Sequence, residues 1–128
     1  MSYHISKKVQ MTFEKARERT IEELAGEGFG VLTEIDVRKT MKEKLGADFP
    51  DYRIIGACNP SLALEALTKE ERIGLMLPCN VVVRTSPEGE TEVSAIDPVA
   101  SMQAVGNEEL AGTGRQVREK LTRVIERI

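Results

Sequence analysis

A chain of 128 residues with 41% apolar and 30% charged side chains reads as one soluble domain spanning residues 1–128. It is long enough to bury roughly two-thirds of its unfolded surface without a disulfide or structural metal. The net charge of −3 hides no basic face: residues 1–50 carry nine basic and nine acidic side chains, residues 51–106 four and eight, and residues 107–128 five and four. That distribution argues against nucleic acid as a partner, and 4% aromatic residues with no tryptophan leave few platforms for base stacking. No apolar run approaches the ~20 residues that span a bilayer, and the opening MSYHISKKVQ lacks the apolar core of a signal peptide. A cytoplasmic protein without a membrane partner is therefore expected, its two cysteines present as thiols.

In chain order, Tyr3 to Val9 alternates weakly and predicts a strand. Thr12 is placed to cap a helix carrying Phe13, Ala16, Ile21 and Leu24 at helical spacing, which stops near Gly26 or Gly28. From Phe29 the period changes to two, with Phe29, Val31, Thr33, Ile35 and Val37 sharing one face of a second strand. Residues 36–44 form a charged surface helix stopped by Gly46, and Tyr52 to Cys58 form a third strand with Tyr52, Ile54, Gly56 and Cys58 on one side. Asn59-Pro60 starts a helix to about Leu67, because asparagine accepts from free backbone amides and proline at the first helical position forfeits no hydrogen bond.

Leu75 to Arg84 predicts the next strand, and Ser86-Pro87-Glu88-Gly89 turns the chain so that Thr91 to Ile96 pairs back as a hairpin. Asp97-Pro98 repeats the Asn59-Pro60 device and starts a short helix ending at Gly106. Asn107 caps the last helix, where Leu110, Gly114, Val117, Leu121, Val124 and Ile128 form one apolar stripe. Two long amphipathic helices and an antiparallel hairpin predict an α+β fold: a mainly antiparallel sheet of about five strands with both long helices on one face and short inserted helices. Ile55, Ala57, Val82 and Ile96 alternate with Ile54, Leu77, Val81, Val83 and Val93, so both sheet faces carry apolar residues. Either a homodimer or the short helices would cover the second face.

The chemistry-bearing residues are few. His4 is the only histidine and sits near the terminus, which removes most mechanisms in which a base activates serine or cysteine. No phosphate-binding loop, zinc-protease motif or calcium loop is present, and Gly26-Glu27-Gly28-Phe29-Gly30 follows a helix rather than opening one. The pattern points away from an enzyme and implies no particular cofactor. Both cysteines precede asparagine, and each pair lies beside a helix start or a proline, where free amides lower a thiol pKa. Cys58 and Cys79 come together if their strands pair in parallel, for which a right-handed crossover is available; in an antiparallel pairing they meet if Cys79 sits mid-strand. A cleft formed by Cys58, Asn59, Cys79, Asn80 and Asp97 is the candidate ligand site. Cys58 and Cys79 are also the candidate metal ligands, although two thiols fall short of a closed zinc site. The competing explanation is a pair of core cysteines and two capping residues.

The blocks GFGVLTEIDVRKTMKEKLGADFPDYRIIGACNPSLALEAL, IGLMLPCNVVV and SAIDPVASM resemble the domain of unknown function 302 family, over almost the whole chain. The resemblance implies a compact β-α-β4-α fold similar in shape to the TATA-binding-protein class, and it implies no assigned activity. Three functions follow as expectations: a binding module for a small ligand or metal, a dimeric interaction protein with buried cysteines, and a thiol-dependent redox protein.

Overall fold

A computed structural model describes residues 2–128. Five strands, β1 (His4–Val9), β2 (Gly30–Asp36), β3 (Tyr52–Cys58), β4 (Cys79–Thr85) and β5 (Thr91–Ile96), form one sheet in the order β1-β5-β4-β3-β2, with every neighbouring pair antiparallel. The helices are α1 (Phe13–Gly26), α2 (Val37–Leu45), α3 (Pro60–Lys69), α4 (Pro98–Gln103) and α5 (Ala111–Arg127). Short 3-10 turns occupy Ile73–Met76 and Glu108–Leu110. The expected α+β arrangement is thus present, with α1 and α5 on one face of an antiparallel sheet.

Local chemistry sets the element ends. Thr12, Asp36, Asn59 and Asp97 each accept from backbone amides of the first turn that follows, and proline opens both α3 and α4. At the end of α1, Gly28 adopts φ +86°, its amide donates to the Ala25 carbonyl, and the Phe29 amide reaches the Leu24 carbonyl at 2.9 Å. This closing motif needs a left-handed residue, which glycine supplies at no steric cost, and it turns Phe29 inward onto the core.

The core is the layer between the sheet and the two long helices. Ile55, Ala57, Cys79, Val81, Val83, Val93 and Ala95 point from the sheet to Ala16 and Leu24 of α1 and Val117, Leu121, Val124 and Ile125 of α5. Each fully buried valine or leucine here stabilises the fold by about 1.5–3 kcal/mol relative to exposure. Thr20 is buried in the same stripe because its hydroxyl donates to the Ala16 carbonyl at 2.7 Å. The ends of α1 and α5 are tied by Glu27, whose carboxylate accepts from Arg123 at 2.9 Å and Arg127 at 2.8 Å.

Three expectations are corrected. The period-two pattern from Phe29 does not run through one strand: Phe29 precedes β2, the register shifts between Val31 and Thr33, leaving Leu32 as a bulge, and Val37 already belongs to α2. Leu75 and Met76 lie in a 3-10 turn, and β4 begins only after Pro78. The short helices cover the second sheet face at most in part, since α3 and α4 pack against α5, and α2, which packs against β3, buries no residue of its own. On that face a shallow hollow is bordered by His4, Tyr52, Asn80, Val82, Arg84 and Ile96.

Gly56 is the tightest point of the sheet. A Cβ there would lie 2.8 Å from Pro78 Cγ and would also strike the Thr33 hydroxyl. Gly56→Ala is expected to destabilise the fold by about 1–3 kcal/mol, read as a lower urea midpoint at unchanged slope. Acid stability follows from two carboxylates. Arg123 holds Glu27, and Arg17 holds Glu34, below the usual carboxylate range through direct hydrogen bonds. The folded chain keeps both ionised to lower pH than the unfolded chain, so their stabilisation is present at neutral pH and is lost as pH falls through those lowered values. Melting curves against pH should show that loss, and Glu27→Gln should make the acid limb shallower.

Candidate functional site

The antiparallel register of β3 and β4 places Ala57 directly opposite Cys79. The last residue of β3 therefore lies beside the first residues of β4, and Cys58 and Cys79 border one cavity. Of the two pairings the sequence leaves open, the strands adopt the antiparallel one, and Cys79 stands at the first position of β4 rather than mid-strand. Antiparallel neighbours place the end of one strand at the beginning of the next, so no crossover is needed.

The cavity measures about 270 Å³ and lies between the end of this strand pair, α3, α5 and the segment from Gly74 to Pro78. It exists because small residues stand where larger ones would fill the gap: Ala57 on the sheet side, Ala63 and Ala66 on α3, and Gly74 in the connecting segment. Leu62, Leu67, Met102 and Val117 complete the apolar wall, and Leu32 and Phe29 close the β2 side. The bulge at Leu32 is what brings that side chain to the cavity.

Two polar side chains reach the wall, and both are already occupied. The Asn59 amide oxygen accepts from the Leu62 amide at 3.4 Å and the Ser61 hydroxyl at 3.1 Å, while its nitrogen donates to the Glu27 carbonyl at 3.3 Å. The buried Thr113 hydroxyl donates to Glu65 Oε1 at 2.9 Å and lies 3.3 Å from the donating Lys69 Nζ. Lys69, through its own 2.9 Å bond, holds the Glu65 carboxyl below the usual carboxylate range. Burial pushes the Cys79 thiol up to about 11, and the neighbouring Cys58 adds to the shift. Free amides near a proline do not lower it, contrary to the sequence-based expectation, because desolvation of the charged form outweighs them.

Of the five residues expected to form the site, Cys58, Asn59 and Cys79 line the cavity. Asn80 does not: one step along β4 its side chain faces the opposite side of the sheet, exposed and paired with Gly56. Asp97 is buried but engaged elsewhere, accepting from the Val99 and Ala100 amides at 2.9 and 3.4 Å and pairing with Arg118 at 3.3 Å. It caps α4 and does not reach the cavity. Among the described residues no three His, Cys, Asp or Glu side chains form a group able to hold a metal. His4 lies on the other sheet face, its Nδ1 2.6 Å from the Ser6 hydroxyl. The cavity-forming residues that sequence reasoning missed are Ala63, Ala66, Gly74 and Thr113. The signal for the first two was the SLALEAL run, with small residues at positions 63 and 66 between leucines.

A sequence model of the family described as domain of unknown function DUF302 matches residues 5–128. The crystal structure of an uncharacterized conserved protein DUF302 from Bacillus stearothermophilus superposes with a TM-score of 0.93 at 28% identity, covering 99% of this chain and 98% of that one. A search of the curated proteins finds no match. The matched span contains every strand and helix that frames the cavity, and the chain belongs to the DUF302 family.

Proposed function

We propose that the protein is a binding module for a small apolar molecule held in the cavity beside Cys58 and Cys79. The observation that carries this reading is an open cavity of about 270 Å³ whose wall is apolar and whose two polar side chains have partners within the protein. Its volume falls just under the ~300 Å³ at which ordinary ligand pockets begin, so the ligand is small. An apolar cavity of ~150 Å³ holds a benzene ring, which scales to a ligand of roughly ten non-hydrogen atoms here. The buried Cys79 sulfur adds a polarisable contact suited to such a ligand.

Metal binding and thiol chemistry receive less support. Two sulfurs without a third ligand leave a metal coordinatively open. A thiol with its pKa near 11 keeps its proton at neutral pH, which removes Cys79 as an attacking group. The uncovered sheet face supports self-association as a second reading, with Ile54 and Val82 paired at its centre and Ile35 beside them. Sedimentation at micromolar concentration tests it: a dimer supports that reading and a monomer removes it.

The cavity reading is tested by titrating naphthalene into the chain and into Ala63→Leu, a variant that fills the cavity. One-to-one binding by the parent and at least tenfold weaker binding by the variant are expected; equal affinity contradicts the reading. The thiol gives an independent check. Because Cys79 ionises later in the folded chain than in the unfolded one, its contribution is intact below about pH 9 and is lost as pH rises toward 11. Chemical denaturation across that range should show falling stability, and Cys79→Ala should flatten the alkaline limb.

A further inference from the structure

Two large apolar side chains that line the cavity also stand in solvent: Leu32 at the β2 bulge is 65% exposed and Leu67 on α3 is 43% exposed. Scattered exposed leucines need no explanation, but these two carry the apolar surface of the cavity outward past its opening.

Polar groups set the direction in which a ligand can enter. The Asn59 amide and the Thr113 hydroxyl already bond to protein partners, so the wall offers little to pair with a polar ligand group carried inside. An unmatched buried polar group costs on the order of 1–3 kcal/mol. A ligand with a polar end must therefore leave that end in water and send its apolar end inward. Beyond the roughly ten atoms the cavity accepts, further methylenes would lie on the exposed leucines. These constraints together describe an aliphatic chain with a head group.

We propose that the cavity takes the tail of a single-chain amphiphile, tail first, with the head group in water and the outer methylenes on the leucine rim; this rests on the cavity being a ligand site. No covalent step is involved. Recognition is of the chain, so head groups of different charge are interchangeable.

The test is a titration series of n-alkyl maltosides and n-alkyltrimethylammonium salts, hexyl to tetradecyl, each below its critical micelle concentration, followed by calorimetry. Affinity should rise about fourfold per methylene. That slope should hold through roughly ten carbons and then flatten to smaller increments. Both head groups should give the same slope. Leu32→Ser, a change at an exposed position on the edge of the cavity, should remove the increments beyond decyl while weakening the short members of the series least. Ala63→Leu, with its fold checked by circular dichroism, should weaken every member of the series. A flat alkyl series alongside tight naphthalene binding would overturn tail-first recognition and leave the cavity reading standing. Absence of binding by both ligand classes would overturn both. Affinity that follows head-group charge, or that survives in Ala63→Leu, would place the amphiphile on the outer surface and overturn the proposal.

Discussion

The register of β3 against β4 is the constraint on which the rest of the structure depends. With Ile55 opposite Val81 and Ala57 opposite Cys79, the fully buried apolar side chains of both central strands fall on the face that α1 and α5 cover. A slip of one residue would turn that set outward and expose Ile54, Val82 and Asn80 to the helices instead. Gly56 makes the register possible, because only a residue without a side chain leaves room for Thr33 from one neighbouring strand and Pro78 at the entry of the other. The same register brings the two Cys-Asn pairs to one end of the sheet. Packing and site thus share a single cause.

The cavity follows from what that packing leaves unfilled. Toward β1 and β5 the sheet meets α5 through Val117, Leu121 and Val124, a run of bulky residues that closes the layer. Toward α3 the facing side chains shrink to alanine, and the helix is held off by its own anchors: Asn59 on the end of α1 and Lys69 on Thr113 of α5. Polar tethers at both ends of α3 fix its position together with the buried contacts of Leu62 and Ala66. A gap of this size in an otherwise well-packed core carries a cost in lost packing.

Much of the fold was legible in the sequence because its signals are local. Thr12, Asn59-Pro60 and Asp97-Pro98 announce helix starts through the chemistry of their own side chains, and the alternation of Val81 and Val83 with their neighbours announces a half-buried strand. The candidate site was legible only in part, because proximity is a property of pairing. Cys58 and Cys79 border one cavity through an antiparallel register that residue spacing alone does not distinguish from a parallel crossover. Asn80 was placed with them by adjacency in sequence, yet the pleat sends alternate side chains to opposite faces. Asp97 carries two demands, a cap and an ion pair with Arg118, that only the packing of α4 on α5 makes visible. Alanines and a glycine give no chemical signal at all; what matters at the cavity is the volume they do not occupy.

The most direct measurement of the central claim is methyl-resolved NMR of the protein titrated with decyl maltoside below its critical micelle concentration. Saturable shifts confined to Ala57, Ala63, Ala66, Met102 and Val117, with Val82 and Ile96 on the other sheet face unmoved, are the predicted result. Shifts spread over the outer sheet face, or growing without saturation while the alanine methyls stay fixed, would contradict the account.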